Sequence, residues 1–338
     1  LRGVAWVPRL WSLAAGHLAG FLLTALAALF VARRLMPGYL DPCGFDGARL
    51  RHLIRTGRGY LGYSMAFMGT QSDLFLVTAV LGPQATAVYG IAFRLFDYLL
   101  NLLRRIADSM GPTLAEADAA GDRAFLVTLH WWSVTAMGFA SLLMASGVLT
   151  IGPTFARVWV GPTNVAPVVT FAGLALTVLL VAWVHANTIV PFATNRIRDF
   201  VPWLGLEGLL RVAFGWCALR CVGLEALPFA LAVAVLASTA WNGPRVAGRC
   251  TGRGIGEVIR AHHRLLALAV VVVATWLVAV AAGGPSRLVW WVVLPGAVLI
   301  VLAAAWRLPE VRRGAAGWWA ARSRPSGAGP ASDKIHRC

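Results

Sequence analysis

With 59% hydrophobic and only 13% charged residues over 338 positions, and a mean hydropathy of +0.71, this chain lacks the charged surface a soluble protein of its length needs. Its formal net charge of +16 suggests a nucleic-acid partner at first sight. The arginines stand between apolar runs rather than on one continuous basic face, which excludes that class. Apolar stretches of about twenty residues recur along the chain, the pattern of bilayer-spanning helices.

In chain order the runs predict nine spans: residues 10–32, 60–81, 85–106, 125–151, 165–190, 200–219, 224–241, 265–283 and 288–306. The first is followed, not preceded, by its stronger basic pair, Arg33 and Arg34, which argues for a true span and against a signal peptide. Residues 44–58 place Leu50, Leu53 and Ile54 among arginines and predict a short amphipathic helix at the cytoplasmic interface, suited to anionic headgroups. Residues 112–122 are polar, acidic and helix-permissive. The sixth span is the least apolar, because it carries Glu207 and Arg211. The region 307–338, rich in Gly, Pro, Ser and Arg, reads as a disordered basic tail.

Basic residues set the orientation. With the N-terminus outside, 23 of the 30 Lys and Arg residues fall on inside segments. Arg2, Arg9, Arg157, Arg220 and Arg287 fall outside, and Arg94 and Arg211 lie within spans. Such asymmetry follows the positive-inside rule and predicts an N-out, C-in, all-α polytopic protein. Several Trp residues near span ends, including Trp6, Trp11, Trp159, Trp290 and Trp291, fit interfacial belts.

Enzymatic and metal signatures are weak. The five cysteines (Cys43, Cys217, Cys221, Cys250, Cys338) form no CxxC pair. His262-His263 lacks HExxH spacing, and the Gly-rich run 250–257 lacks a Walker lysine. No cofactor or metal is expected. Ionisable residues inside spans are costly and each calls for a partner or a water-filled cavity. Arg94 and Asp97, three apart, and Glu207 and Arg211, four apart, can each pair along a helix face; Asp73 stands in the outer half of the second span. His185 and Asn187 read as polar packing or interfacial groups.

The segment QSDLFLVTAVLGPQATAVYGIAFRLFDYLLNLLRRIADSMGPTLAEADAAGD resembles the start of the second lobe in the polysaccharide flippases. These belong with the multidrug exporters in one superfamily. The matching positions are Asp73, Leu81-Gly82, Val88-Tyr89, Ala92, Arg94, Pro112 and Gly121-Asp122. FARVWVGP is similar to the family's external loop, HANTIVPFATNRIRDF to its entry into the next helix, and CVGLEALPFALAVA to a later glycine-rich turn. Glu225, Leu227 and Arg211 depart from the pattern.

The resemblance implies a chain corresponding to the sixth through fourteenth helices of a fourteen-helix transporter, lacking the first five. Residues 1–32 would form one span before the second lobe and 33–59 a basic amphipathic cytoplasmic linker. Residues 60–245 would form the second six-helix lobe and 246–306 two additional spans. It further implies translocation of a polyprenyl-diphosphate-linked oligosaccharide across a bacterial cytoplasmic membrane, beside other polysaccharide-assembly proteins, with no bond made. On that scheme Arg94 or Arg211 would bind the pyrophosphate, because guanidinium stays charged and donates in a fork. Asp73, Asp97 or Glu207 would couple an ion. A cation-coupled multidrug exporter, a non-transporting remnant and a membrane glycosyltransferase or polymerase are the alternatives; the last needs a large external loop that the short outside segments do not supply.

Overall fold

The computed structural model describes residues 7–35, 47–263 and a few positions between 266 and 274. Two compact units divide after Arg55. The described residues are helical with no strand, and six stretches are long and apolar enough to cross a membrane. The protein is a helical multi-pass membrane protein. The predicted ninth span, nearly all of the eighth and the tail lie outside the described residues.

In the first unit, α1 (Val7–Leu35) ends on Arg33 and Arg34, cations that suit the negative end of a helix dipole. Helix α2 (Gly47–Gly69) contains the predicted interfacial segment. Residues 47–58 are therefore not a separate amphipathic helix: the backbone continues unbroken into the next span, with no proline before Gly69 and with Gly57, Gly59 and Gly62 all held within the helix.

The second unit holds five of the six apolar stretches. The second predicted span is in fact discontinuous. A turn at Thr70 and Gln71 separates α2 from α3 (Asp73–Leu81). Gly82, at φ 87°, ends α3 in a conformation that favours glycine, and Pro83 opens α4 (Pro83–Asp108) at a position where its missing N–H costs nothing. Then come α5 (Gly111–Ala119), on the predicted helix-permissive loop, and α6 (Arg123–Thr150), whose N-cap Asp122 accepts from the Phe125 amide at 3.0 Å. The external-loop motif folds as α7 (Gly152–Val160). Helix α8 (Val168–Ala193) follows, then α9 (Val201–Cys221). The last pass breaks at Ser238 between α10 (Leu227–Ala237) and α11 (Thr239–Thr251). The short α12 is Ile255–Ala261.

Helix α8 is the central element, packed against α4, α5, α6, α10 and α11. Small residues let its neighbours close in: Ala172, Ala175, Ala182 and Ala186 are buried. A Cβ on Gly173 would lie 2.7 Å from Pro228 Cβ. Such small-residue contacts hold helices together in lipid, where dispersion replaces the hydrophobic effect. Around α8 the contacts close a ring from α4 to α3, α9, α10 and back to α8. Helix α9 is not among the six apolar stretches, although its 21 residues span about 31 Å. Its mid-helix charges, Glu207 and Arg211, are buried within this ring, which explains how a weakly apolar helix belongs to the bundle.

Candidate functional site

The break between α2 and α3 leaves backbone groups without helical partners at membrane depth, where no bulk water can serve them. Three buried ionisable side chains gather there: Asp73 at the first position of α3, and Glu207 and Arg211 one turn apart on α9, with relative exposures of 2%, 4% and 6%. Arg211 Nε and Nη2 each lie 2.8 Å from Glu207 Oε1. Its Nη1 donates to the carbonyl of Thr70 at 3.3 Å and stands 3.7 Å from Asp73 Oδ2. Glu207 Oε2 accepts from the hydroxyl of Thr239 at the start of α11. One network thus joins the α2–α3 break, α9 and α11.

Helix backbones approach closely at the same level. A Cβ on Gly208 would meet Gly69 C at 3.3 Å and Cα at 3.4 Å. The side chain between Gly208 and the break, Glu207, is thereby brought against its partners. With all three groups ionised, two carboxylates share one guanidinium, leaving an excess negative charge. That excess falls on Asp73, whose contact with Arg211 is the longer one. Asp73 Oδ1 and Ser72 Oγ are buried with no hydrogen-bond partner among the described residues.

The cluster borders an internal cavity of about 130 Å³, room for a few waters and too small for a diphosphate-linked glycan. Aromatic rings from α2, α4 and α9 (Tyr63, Phe67, Phe93, Phe96, Phe200) line it, together with Asp97 and Arg104. Arg104 stacks over Phe67 at 5.4 Å and has no carboxylate within ion-pair distance among the described residues. A second, more open pocket of about 460 Å³ shares Tyr63 and His185 with the first. There His185 Nε2 and Asp108 Oδ1 lie 3.0 Å apart, tying α8 to the end of α4.

Of the residues singled out from sequence, the structure brings together Asp73, Glu207 and Arg211, with the expected Glu207–Arg211 pair formed. Asp97 lines the cavity from α4 but is not part of the network. Arg94 is exposed on the outside of α4, does not line the cavity, and forms no ion pair with Asp97. The Arg94–Asp97 pair that the spacing permits is therefore not formed: Asp97 lines the cavity and Arg94 does not. Asn187 is a packing group as read, accepting from or facing His130 Nε2 at 3.2 Å in a fully buried contact, whereas His185 reaches the cavity.

Sequence reasoning missed Thr70, Thr239, Tyr63 and Arg104. Arg104 was counted with the cytoplasmic loop, because Arg104-Arg105 ends an apolar run. Thr239 carried no signal beyond its place after Ser238. Neither a protein-family model, a curated protein nor a solved structure matches the chain.

Proposed function

We propose that this chain is a transporter lobe that moves a polyprenyl-diphosphate-linked oligosaccharide across the cytoplasmic membrane. The observation that carries this reading is the buried Asp73–Arg211–Glu207 network beside a cavity inside the bundle. Ionisable groups at such depth mark ion or substrate pathways by default, and discontinuous helices are where transporters build their sites. The resemblance of residues 73–122 to the flippases supplies the substrate class.

Within this reading the geometry supports different roles for the two arginines. Arg211 is engaged by Glu207, Thr70 and Asp73 and serves as an internal counter-ion rather than as a receptor for diphosphate. Asp73, with one oxygen unpartnered, is the coupling site for a proton or small cation. Glu207 orients Arg211, and Asp97 lines the same cavity from α4. The diphosphate contact falls to Arg94, whose guanidinium makes no hydrogen bond or ion pair among the described residues. The N-out, C-in orientation rests on the basic-residue asymmetry.

One observation favours a second reading. Five aromatic rings and three carboxylates around one cavity also suit an organic cation, as in a cation-coupled multidrug exporter. Reconstitution separates the two. Proteoliposomes holding the full chain should translocate a fluorescent polyprenyl-diphosphate glycan, and dissipating the ion gradient should slow it. Gradient-driven export of a lipophilic cation with no movement of the glycan would instead establish the exporter.

A further inference from the structure

Helix α8 turns one long face to the cavity beside the charged network. Leu174, Thr177, Val181, Val184, His185 and Thr188 line it, along about 21 Å of helix. From α4, Phe93, Phe96, Asp97, Leu100 and Arg104 line it over about 16 Å. The cavity is thus a lengthwise crevice. At one end it meets Asp73, Glu207 and Arg211. At the other it shares Tyr63 and His185 with the wider pocket of about 460 Å³. Asp108, Gly111 and Ala193 line that pocket; they end α4, open α5 and end α8. This mouth stands at the end of the bundle that carries Arg105, Arg123, Arg196 and Arg198, the cytoplasmic end by the positive-inside rule. There the Asp108 side chain is 54% exposed and that of His185 17%.

Beyond the network, toward the outer face, the packing is closed. Leu76 and Val77 of α3, Tyr89 of α4, Leu219 of α9, and Leu227 and Leu231 of α10 form one buried cluster. A Cβ on Gly215 would come within 3.1 Å of Leu76 Cδ1 and 3.2 Å of Leu227 Cδ1, so α9 is pressed against this seal. The Tyr89 hydroxyl is the one polar side-chain group among these six residues. A buried carboxylate needs a partner or a water-filled cavity, and Asp73 has polar lining only on the side of the mouth.

The lining also selects the species that travels. Arg104 stands on the way and Arg211 at its end, and both guanidiniums repel a metal cation. The unpartnered oxygens in the break are Asp73 Oδ1 and Ser72 Oγ, far fewer than the about six ligands that hard cations take. A proton needs one oxygen and a file of waters. Glu207 and Arg211 from α9 and Tyr89 from α4 are the ionisable groups facing Asp73; α10 presents none. Bound at Asp73 Oδ1, a proton removes the excess negative charge and leaves Glu207 and Arg211 as a neutral pair. We infer that the crevice is a one-sided proton path from the His185–Asp108 mouth to Asp73, sealed toward the outer face by the Leu76–Tyr89–Leu227 cluster. This deepens the coupling role given to Asp73 and rests on the orientation in that reading.

The test follows Asp73 itself, by infrared difference spectroscopy of the full chain in proteoliposomes sorted for one orientation. The signal is the protonated carboxyl stretch that is missing from Asp73→Asn. Without protonophore, an acid jump on the cytoplasmic side should raise it at least tenfold faster than the same jump outside. Exchanging sodium for choline at fixed pH should leave it unaltered. Thr188→Trp, which fills the crevice beside His185, should slow the cytoplasmic response at least tenfold and keep its final amplitude. The milder Thr188→Leu should slow it in the same direction. Equal rates from the two sides, or no Asp73-dependent band, would overturn the inference. Suppression of the band by sodium, or two filled variants as fast as the unaltered chain, would overturn it as well. None of these readings involves a glycan. Sided protonation without glycan movement in the reconstitution would remove the flippase reading and leave the proton path standing.

Discussion

Among the described residues Arg211 is the only cation in contact with two buried carboxylates, and removing it should be far more damaging than removing either acid. In Arg211→Gln, Asp73 and Glu207 lose their shared counter-ion in the bundle interior. Unit charges 3.7 Å apart attract by about 4–5 kcal/mol at an effective dielectric constant of 20. Breaking a buried pair by deleting one partner costs about 3–5 kcal/mol. Glu207→Gln, by contrast, leaves one guanidinium facing one carboxylate. The loss is then roughly that of a hydrogen bond to a charged group, about 1.5–3 kcal/mol. Adding Asp73→Asn to Arg211→Gln should recover at least about 1 kcal/mol, because groups in one network couple. Unfolding free energies of the three variants and the unaltered chain in mixed micelles measure the order directly. If Glu207→Gln equals or exceeds Arg211→Gln in cost, the two-acids, one-base description of the cluster is wrong.

Three further outcomes follow from the packing. Gly173→Ala forces a Cβ to within 2.7 Å of Pro228 Cβ, and overpacking of this kind should cost about 1–3 kcal/mol in the same unfolding assay; no loss would mean that α8 and α10 pack less closely than described. Asn187→Leu removes the partner of the buried His130 imidazole at 3.2 Å, a loss of about 1–3 kcal/mol, whereas His185→Ala, facing the half-exposed Asp108, should change stability by less than about 1 kcal/mol. Equal effects would remove the distinction between the two histidine contacts. An isolated α9 segment should insert poorly in a glycosylation-mapping assay, since central charges cost about 2.5–3.5 kcal/mol each, and Glu207→Leu with Arg211→Leu should restore insertion; efficient insertion of the unaltered segment would remove the need for bundle partners.

The passes that carry α4, α6 and α8 were legible because long apolar runs report span length directly. Their observed ends differ from the predicted ones by only a few residues. The break at Thr70 and Gln71 lies in the polar run Gly69-Thr70-Gln71-Ser72-Asp73, a local turn signal that the apolar flanks on both sides mask when 60–81 is read as one span. Arg211 on α9 then takes up the Thr70 carbonyl. The continuous α2 was misread for a related reason, as arginines at 49, 51, 55 and 58 lower hydropathy without disturbing helix geometry.

Within the site, the i, i+4 spacing of Glu207 and Arg211 foretold their pair, because helix geometry alone brings such residues together. No local rule could add Asp73 and Thr239, which arrive from α3 and α11. Arg94 and Asp97 show the reverse. Their spacing permits a pair, yet Asp97 lines the cavity while Arg94 is exposed and does not. Residues three apart stand about 60° from each other around the axis, enough for the wall of one helix to separate them.

Transport of a lipid-linked glycan is tested most directly in cells from which the gene is deleted. Extracted lipids should then contain polyprenyl-diphosphate oligosaccharide accumulated on the cytoplasmic leaflet. The full chain should clear it, while chains carrying Arg94→Gln or Asp73→Asn should not, although inserted normally. Unchanged glycan export after deletion, with no stalled lipid, would contradict the account.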